Sequence, residues 1–136
     1  MDGCIFCKIA KGEIPCAKIF ENEDCIAFLD IKPSTEGMSL VIPKKHLDSY
    51  VFNNTDEDIV KLMISAKKVS KMLTNFYAIK RVAVLFEGIE VNHLHVKLYP
   101  LKNGENMENL LTSSKGNPNI EELNKLAKEI SGFNLL

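Results

Sequence analysis

Three features of the sequence predict an α+β domain built on an antiparallel sheet. Two short apolar runs flank the polar turn Glu21-Asn22-Glu23-Asp24, a hairpin signature. From Asp56 the apolar spacing changes to three or four residues, the mark of a long amphipathic helix, and two more strand-like runs follow it. The 136 residues suit one domain, taken as 1–136, that can close its own core. Apolar residues make up 46% and charged residues 26%, the ordinary globular mix. With 17 Lys+Arg against 18 Asp+Glu the formal charge is −1, which leaves no basic footprint for a nucleic-acid partner. No run of apolar residues is long enough to span a membrane. Met1-Asp2-Gly3-Cys4 lacks a signal-peptide profile, so a cytoplasmic location is expected, where cysteines serve as ligands or spectators more often than as disulfides.

Residues 4–10, CIFCKIA, read as a short helix with Ile5, Phe6 and Ile9 turned inward. The hairpin strands run Ala17 to Phe20 and Cys25 to Leu29, and a turn through Lys32-Pro33-Ser34 and Gly37 leads to a third strand, Met38 to Ile42, stopped by Pro43. Thr55 is the N-cap of the long helix, whose inward residues are Ile59, Leu62, Met63, Ala66, Val69 and Leu73. Strands are expected over Arg81 to Phe86 and Val91 to Tyr99. A polar loop spans Leu101 to Gly116, and a last helix opens with Pro118 at its first position, carries Ile120, Leu123, Ala127 and Ile130, and ends before Gly132.

The three histidines carry the chemical argument. Along Val91-Asn92-His93-Leu94-His95-Val96-Lys97-Leu98-Tyr99, strand alternation turns Leu94, Val96 and Leu98 to the core. His93, His95, Lys97 and Tyr99 then line the other face, with neighbours about 6.6–7 Å apart. One histidine on such a face is ordinary; His-x-His-x-Lys opposite an unbroken apolar face points to a site. Cys4-x-x-Cys7 fits either part of a tetrahedral metal site or a redox dithiol. His46 follows the third strand, and with the cysteine pair and a strand histidine it completes a Cys₂His₂ set, which leaves open whether His93, His95 or both reach the metal. Cys25, inside an apolar run, reads as a buried small hydrophobe.

The blocks CIFCKIAKGEIP, ENEDCIAFLDIKP, GMSLVIPKKH and GIEVNHLHVKLYP, in this order around the long helix, resemble the histidine triad (HIT) family, in its zinc-bearing, Hint-like branch, from Cys4 to about Pro100. The resemblance implies a five-stranded antiparallel sheet with a long helix and a C-terminal helix, dimerised into a ten-stranded sheet. It also implies cleavage of AMP-like nucleoside 5′-phosphate derivatives by a nucleotidyl-histidine route, with His95 as nucleophile and Lys97 beside it. A structural Zn²⁺ is implied on Cys4, Cys7, His46 and His93. Asp30 matches the ribose-binding acid, and Ile5, Phe6, Ile9, Phe28 and Ile31 match the slot for the base, with Gly88 and Glu90 nearest the phosphate. Three positions depart from the family pattern. Lys97 replaces the third triad histidine, the short Phe86-Glu87-Gly88 replaces an asparagine- and glycine-bearing loop, and Glu90 replaces a small hydroxyl residue. A nucleotide-binding protein with little turnover is the alternative that these departures raise.

Overall fold

The computed structural model describes residues 3–112 and 117–135. Strands β1 (Lys18–Glu21), β2 (Cys25–Leu29), β3 (Ser39–Pro43), β4 (Val82–Leu85) and β5 (Val96–Pro100) form one antiparallel sheet in the order β1-β2-β3-β5-β4. The α-helices among the described residues are α1 (Ile5–Ala10), α2 (Asp56–Tyr77), α3 (Met107–Thr112) and α4 (Ile120–Phe133). The β1–β2 hairpin closes on Asn22, whose Oδ1 accepts from the Asp24 and Cys25 N–H groups at 3.0 and 2.8 Å. Its Nδ2 donates to Ser65 Oγ at 3.0 Å, which ties the turn to α2.

Both faces of the central strands are covered, so every residue of β2 and β3 is buried. On one face Cys25, Ala27, Leu29 and Val41 pack with Leu94, Val96 and Leu98 against Leu62, Ala66, Val69 and Leu73 of α2 and Leu123, Ala127 and Ile130 of α4. On the other face Ile26, Phe28, Leu40 and Ile42 pack against Phe6 and Ile9 of α1. Thr55 caps α2 as expected, its Oγ1 accepting from the Asp58 N–H at 3.2 Å, and Asp56, Glu57 and Asp58 place negative charge at the positive end of the helix.

The structure corrects several local expectations. β5 starts at Val96, not Val91: the His93 N–H turns back to the Val91 carbonyl and the Leu94 N–H bonds Leu47, so residues 91–95 are bent away from the ladder. The inward and outward alternation of Leu94 to Leu98 survives this bend. Within the expected loop 101–116, Met107–Thr112 forms α3, started by Asn106, whose Oδ1 accepts from the Asn109 N–H, and held by Leu110 against Met38 and Tyr99; residues 113–116 lie outside the described residues. α4 is capped by Asn119, which accepts from the Glu122 N–H at 2.8 Å, so Pro118 precedes the cap, and the helix runs through Gly132 to Phe133. β1 lies one residue later than expected. Met63 and Ile5 are exposed rather than inward, since Met63 falls beyond the face of α2 that meets the sheet and Ile5 lies on the open side of α1.

Candidate metal centre and active site

Residues far apart in the chain meet beside the N-terminus of α1. Cys4 is the N-cap of this helix, and its Sγ accepts from the Cys7 N–H at 3.3 Å. One turn brings Cys7 to the same side, where its Sγ lies 3.2 Å from His46 Nδ1 and 3.4 Å from His93 Nδ1; Cys4 Sγ is 3.3 Å from His93 Nδ1. The ligating atoms of Cys4, Cys7, His46 and His93 all fall within 4.8 Å of one another. A tetrahedral ion with bonds of about 2.3 Å to sulfur and 2.0–2.1 Å to nitrogen needs sulfur–nitrogen edges near 3.5 Å, so the set fits a metal ion. The tautomer fits as well: His93 Nε2–H donates to the Pro43 carbonyl at 2.8 Å, which leaves the Nδ1 lone pair to the cluster. Burial pushes the Cys7 thiol up, with its hydrogen bond and charge interaction with Cys4 adding to the rise, so a metal must displace a proton to bind there.

His95 is not part of this cluster. Its Nδ1–H donates to the His93 carbonyl at 2.7 Å, which leaves the lone pair on Nε2. The ring is almost wholly buried and stands edge-on to Phe6, with centroids 5.2 Å apart. A cavity of about 560 Å³ opens beside it. Phe28 and Leu40 from the sheet, Ile5, Phe6 and Ile9 from α1, and Leu110 and Leu111 from α3 provide its apolar walls. Asp30 and Ile31, just past the end of β2, lie at the cavity with Glu90, Lys97 and His95. Of the residues expected around a nucleotide, Gly88 alone is not at the cavity wall. It forms the turn before Glu90 at φ +64°, where a Cβ would run into the Ser49 carbonyl oxygen.

Glu87 was not among the expected site residues. Its Oε1 lies 3.6 Å from His95 Nε2 and 3.5 Å from Lys97 Nζ. Burial alone would raise the Glu87 carboxyl, but the Lys97 ammonium, the Ile89 N–H and His95 together hold it below the usual carboxylate range. No sequence pattern marks Glu87: Leu85 opposite Lys97 is the last pair of β4 with β5, and only the tertiary fold brings Glu87, two residues later, beside His95. The wall supplied by α3 had no signal either, because its polar sequence reads as loop.

The HIT domain family pattern matches residues 11–104. The chain is 34% identical over 133 residues to an uncharacterised HIT-like protein of Methanocaldococcus jannaschii, covering 95% of this chain and 99% of that one. It is 39% identical over 107 residues to an adenosine 5′-monophosphoramidase of Schizosaccharomyces pombe, covering 75% and 77%. The fold superposes on a Hit-like protein from Bartonella henselae with a TM-score of 0.83 at 26% identity, covering 98% of this chain and 97% of that one. With the ordered blocks, the antiparallel sheet and the half-buried Cys and His cluster in agreement, this chain belongs to the histidine triad family.

Proposed function

We propose that the chain is a cytoplasmic nucleotide hydrolase or transferase that cleaves AMP-like nucleoside 5′-phosphate derivatives through a nucleotidyl-His95 intermediate. The observation that carries the reading is the His95 Nδ1–H hydrogen bond to the His93 carbonyl, which fixes the ring and leaves Nε2 as the nitrogen available for attack beside a cavity that also meets Asp30. The likeness to an adenosine 5′-monophosphoramidase supports the substrate class. The base lies among Ile5, Phe6, Ile9, Phe28 and Ile31, and Asp30 accepts hydrogen bonds from the ribose hydroxyls. His95 Nε2 attacks the α-phosphorus, the bond to the leaving group breaks with its electron pair, and Lys97 with backbone N–H groups near Gly88 and Glu90 neutralises the charge that develops on phosphate oxygens. Water then attacks phosphorus and gives up a proton that the departed group or solvent takes, the N–P bond breaks with its electron pair returning to Nε2, and AMP leaves with His95 restored.

Zn²⁺ on Cys4, Cys7, His46 and His93 has four protein ligands, so it would supply a cross-link between α1 and the sheet. The molecule is read as a homodimer that joins β4 edges. Incubation with an adenosine 5′-phosphoramidate and acid-free mass spectrometry should find AMP bound covalently to His95 in the wild type and none in His95→Ala. AMP binding without adduct or turnover would favour a nucleotide sensor, and no AMP binding at millimolar concentration would overturn the nucleotide reading.

A further inference from the structure

Glu87 sets a carboxylate beside the nitrogen that a reacting phosphate has to approach. Near-attack geometry sets phosphorus about 3–3.5 Å from the nucleophilic nitrogen. Glu87 Oε1 is 3.6 Å from that same His95 Nε2 and 3.5 Å from Lys97 Nζ, and the Ile89 N–H holds the oxygen at 3.4 Å. The turn that carries it is fixed at Gly88, which has no room for a side chain against Ser49. Only 22% of the Glu87 side chain is exposed, so solvent screens its charge weakly.

With a nucleotide seated as proposed above, we propose that Glu87 is a specificity-determining residue that selects the charge on the α-phosphate: it favours a singly charged, still-substituted phosphate over the doubly charged monoester product. An α-phosphate that carries an amide, ester or anhydride substituent has one ionised oxygen. Hydrolysis leaves a monoester with a charge of about −1.5 to −2 at pH 7. Repulsion from a fixed carboxylate grows with that charge, so the product is disfavoured more than the substrate from which it came. Glu87 also faces Lys97, a cavity-wall side chain whose ammonium favours the dianion, so the two effects act in the same direction. The consequence is ready release of AMP and weak product inhibition.

Calorimetry on the metal-loaded protein at pH 7.5 with adenosine, the monomethyl ester of AMP and AMP itself reads this charge series, and no bond breaks with any of the three. In Glu87→Gln, adenosine should bind within about twofold of wild type, the methyl ester about threefold more tightly and AMP about tenfold more tightly. Glu87→Asp should keep the wild-type order. The same factor for all three ligands, or no gain for AMP, would overturn the proposal. It is also overturned, independently of how any variant folds, if wild-type protein binds AMP ten times more tightly than the methyl ester. Failure of wild type to bind adenosine and AMP alike would instead remove the nucleotide seat itself, and this proposal with it.

Discussion

Asp30 shows how a local turn fixes a carboxylate at the cavity. It follows the last residue of β2, its N–H bonds the Met38 carbonyl at 2.9 Å, and its Oδ1 accepts from the Lys32 N–H at 2.8 Å. The carboxylate is thereby held at the cavity by a backbone N–H. Asp30→Asn keeps the shape and removes the charge, so AMP affinity should fall by about 1.5–3 kcal/mol, the scale of a charged hydrogen bond, measured by calorimetry. An unchanged affinity would remove Asp30 from the ribose contact. Lys97 poses a different question. A lysine ammonium brings charge but is a weaker acid than the imidazolium it replaces in the family pattern, so leaving groups that depart as anions should be cleaved better than amines that need a proton. Lys97→Ala should lower turnover, and Lys97→His should raise phosphoramidate cleavage relative to anhydride cleavage. Equal relative rates in wild type and Lys97→His would show that this position takes no part in leaving-group departure.

At the scale of elements, α1 depends on tertiary support. Six residues cannot hold a helix in water, so its stability comes from Phe6 and Ile9 against the sheet and from the Cys4, Cys7, His46 and His93 cluster. Because metal-binding energy is also folding energy, chelation should open this end first, with faster amide exchange over residues 5–10 than over β2 and weaker AMP binding through the loss of one cavity wall. Unchanged exchange and melting after chelation would show that the cluster holds no structural metal. In the metal-free protein burial holds the His93 imidazole below its ordinary value; the Pro43 hydrogen bond opposes this, and His46 and His95 add to it. A group depressed on folding contributes stability that is present above the unfolded value, near 6.5, and is lost as pH falls. The chelated protein should therefore melt at a lower temperature at pH 5.5 than at pH 7.5, as scanning calorimetry would show.

At the scale of the whole molecule, β1 and β4 are the edge strands of the sheet among the described residues. α4 packs against β1, while β4 leaves Val84 47% exposed, and α2 presents Val60, Met63 and Ile64 to solvent. An open, apolar edge strand is a pairing surface, and joining two β4 edges about a twofold axis makes one continuous sheet. Val84→Asp would set like charges against each other across that axis. Sedimentation should show a dimer for wild type and a shift to monomer for the variant, with the melting temperature of the monomer lowered; a wild-type monomer would overturn the edge-pairing reading.

What the sequence alone determined was local. The β1–β2 hairpin, α2 with its Thr55 cap, the third strand and the inward turn of Leu94, Val96 and Leu98 all follow from periodicity and capping within a few residues of chain. The Cys₂His₂ set was legible as a residue pattern, but its choice of His93 over His95 came from family resemblance, since two histidines on one strand are equivalent to a rule of alternation. Tertiary structure decided the rest. The bend at 91–95 exists because Leu94 bonds Leu47, from a segment that precedes α2, and it turns His93 toward the cysteines while its carbonyl holds His95. α3 forms because Leu110 finds Met38 and Tyr99, a contact no helix propensity foretells. Glu87 meets His95 only because β4 and β5 pair in one register, and a register is set by side chains packing across the sheet, not by either strand's own sequence.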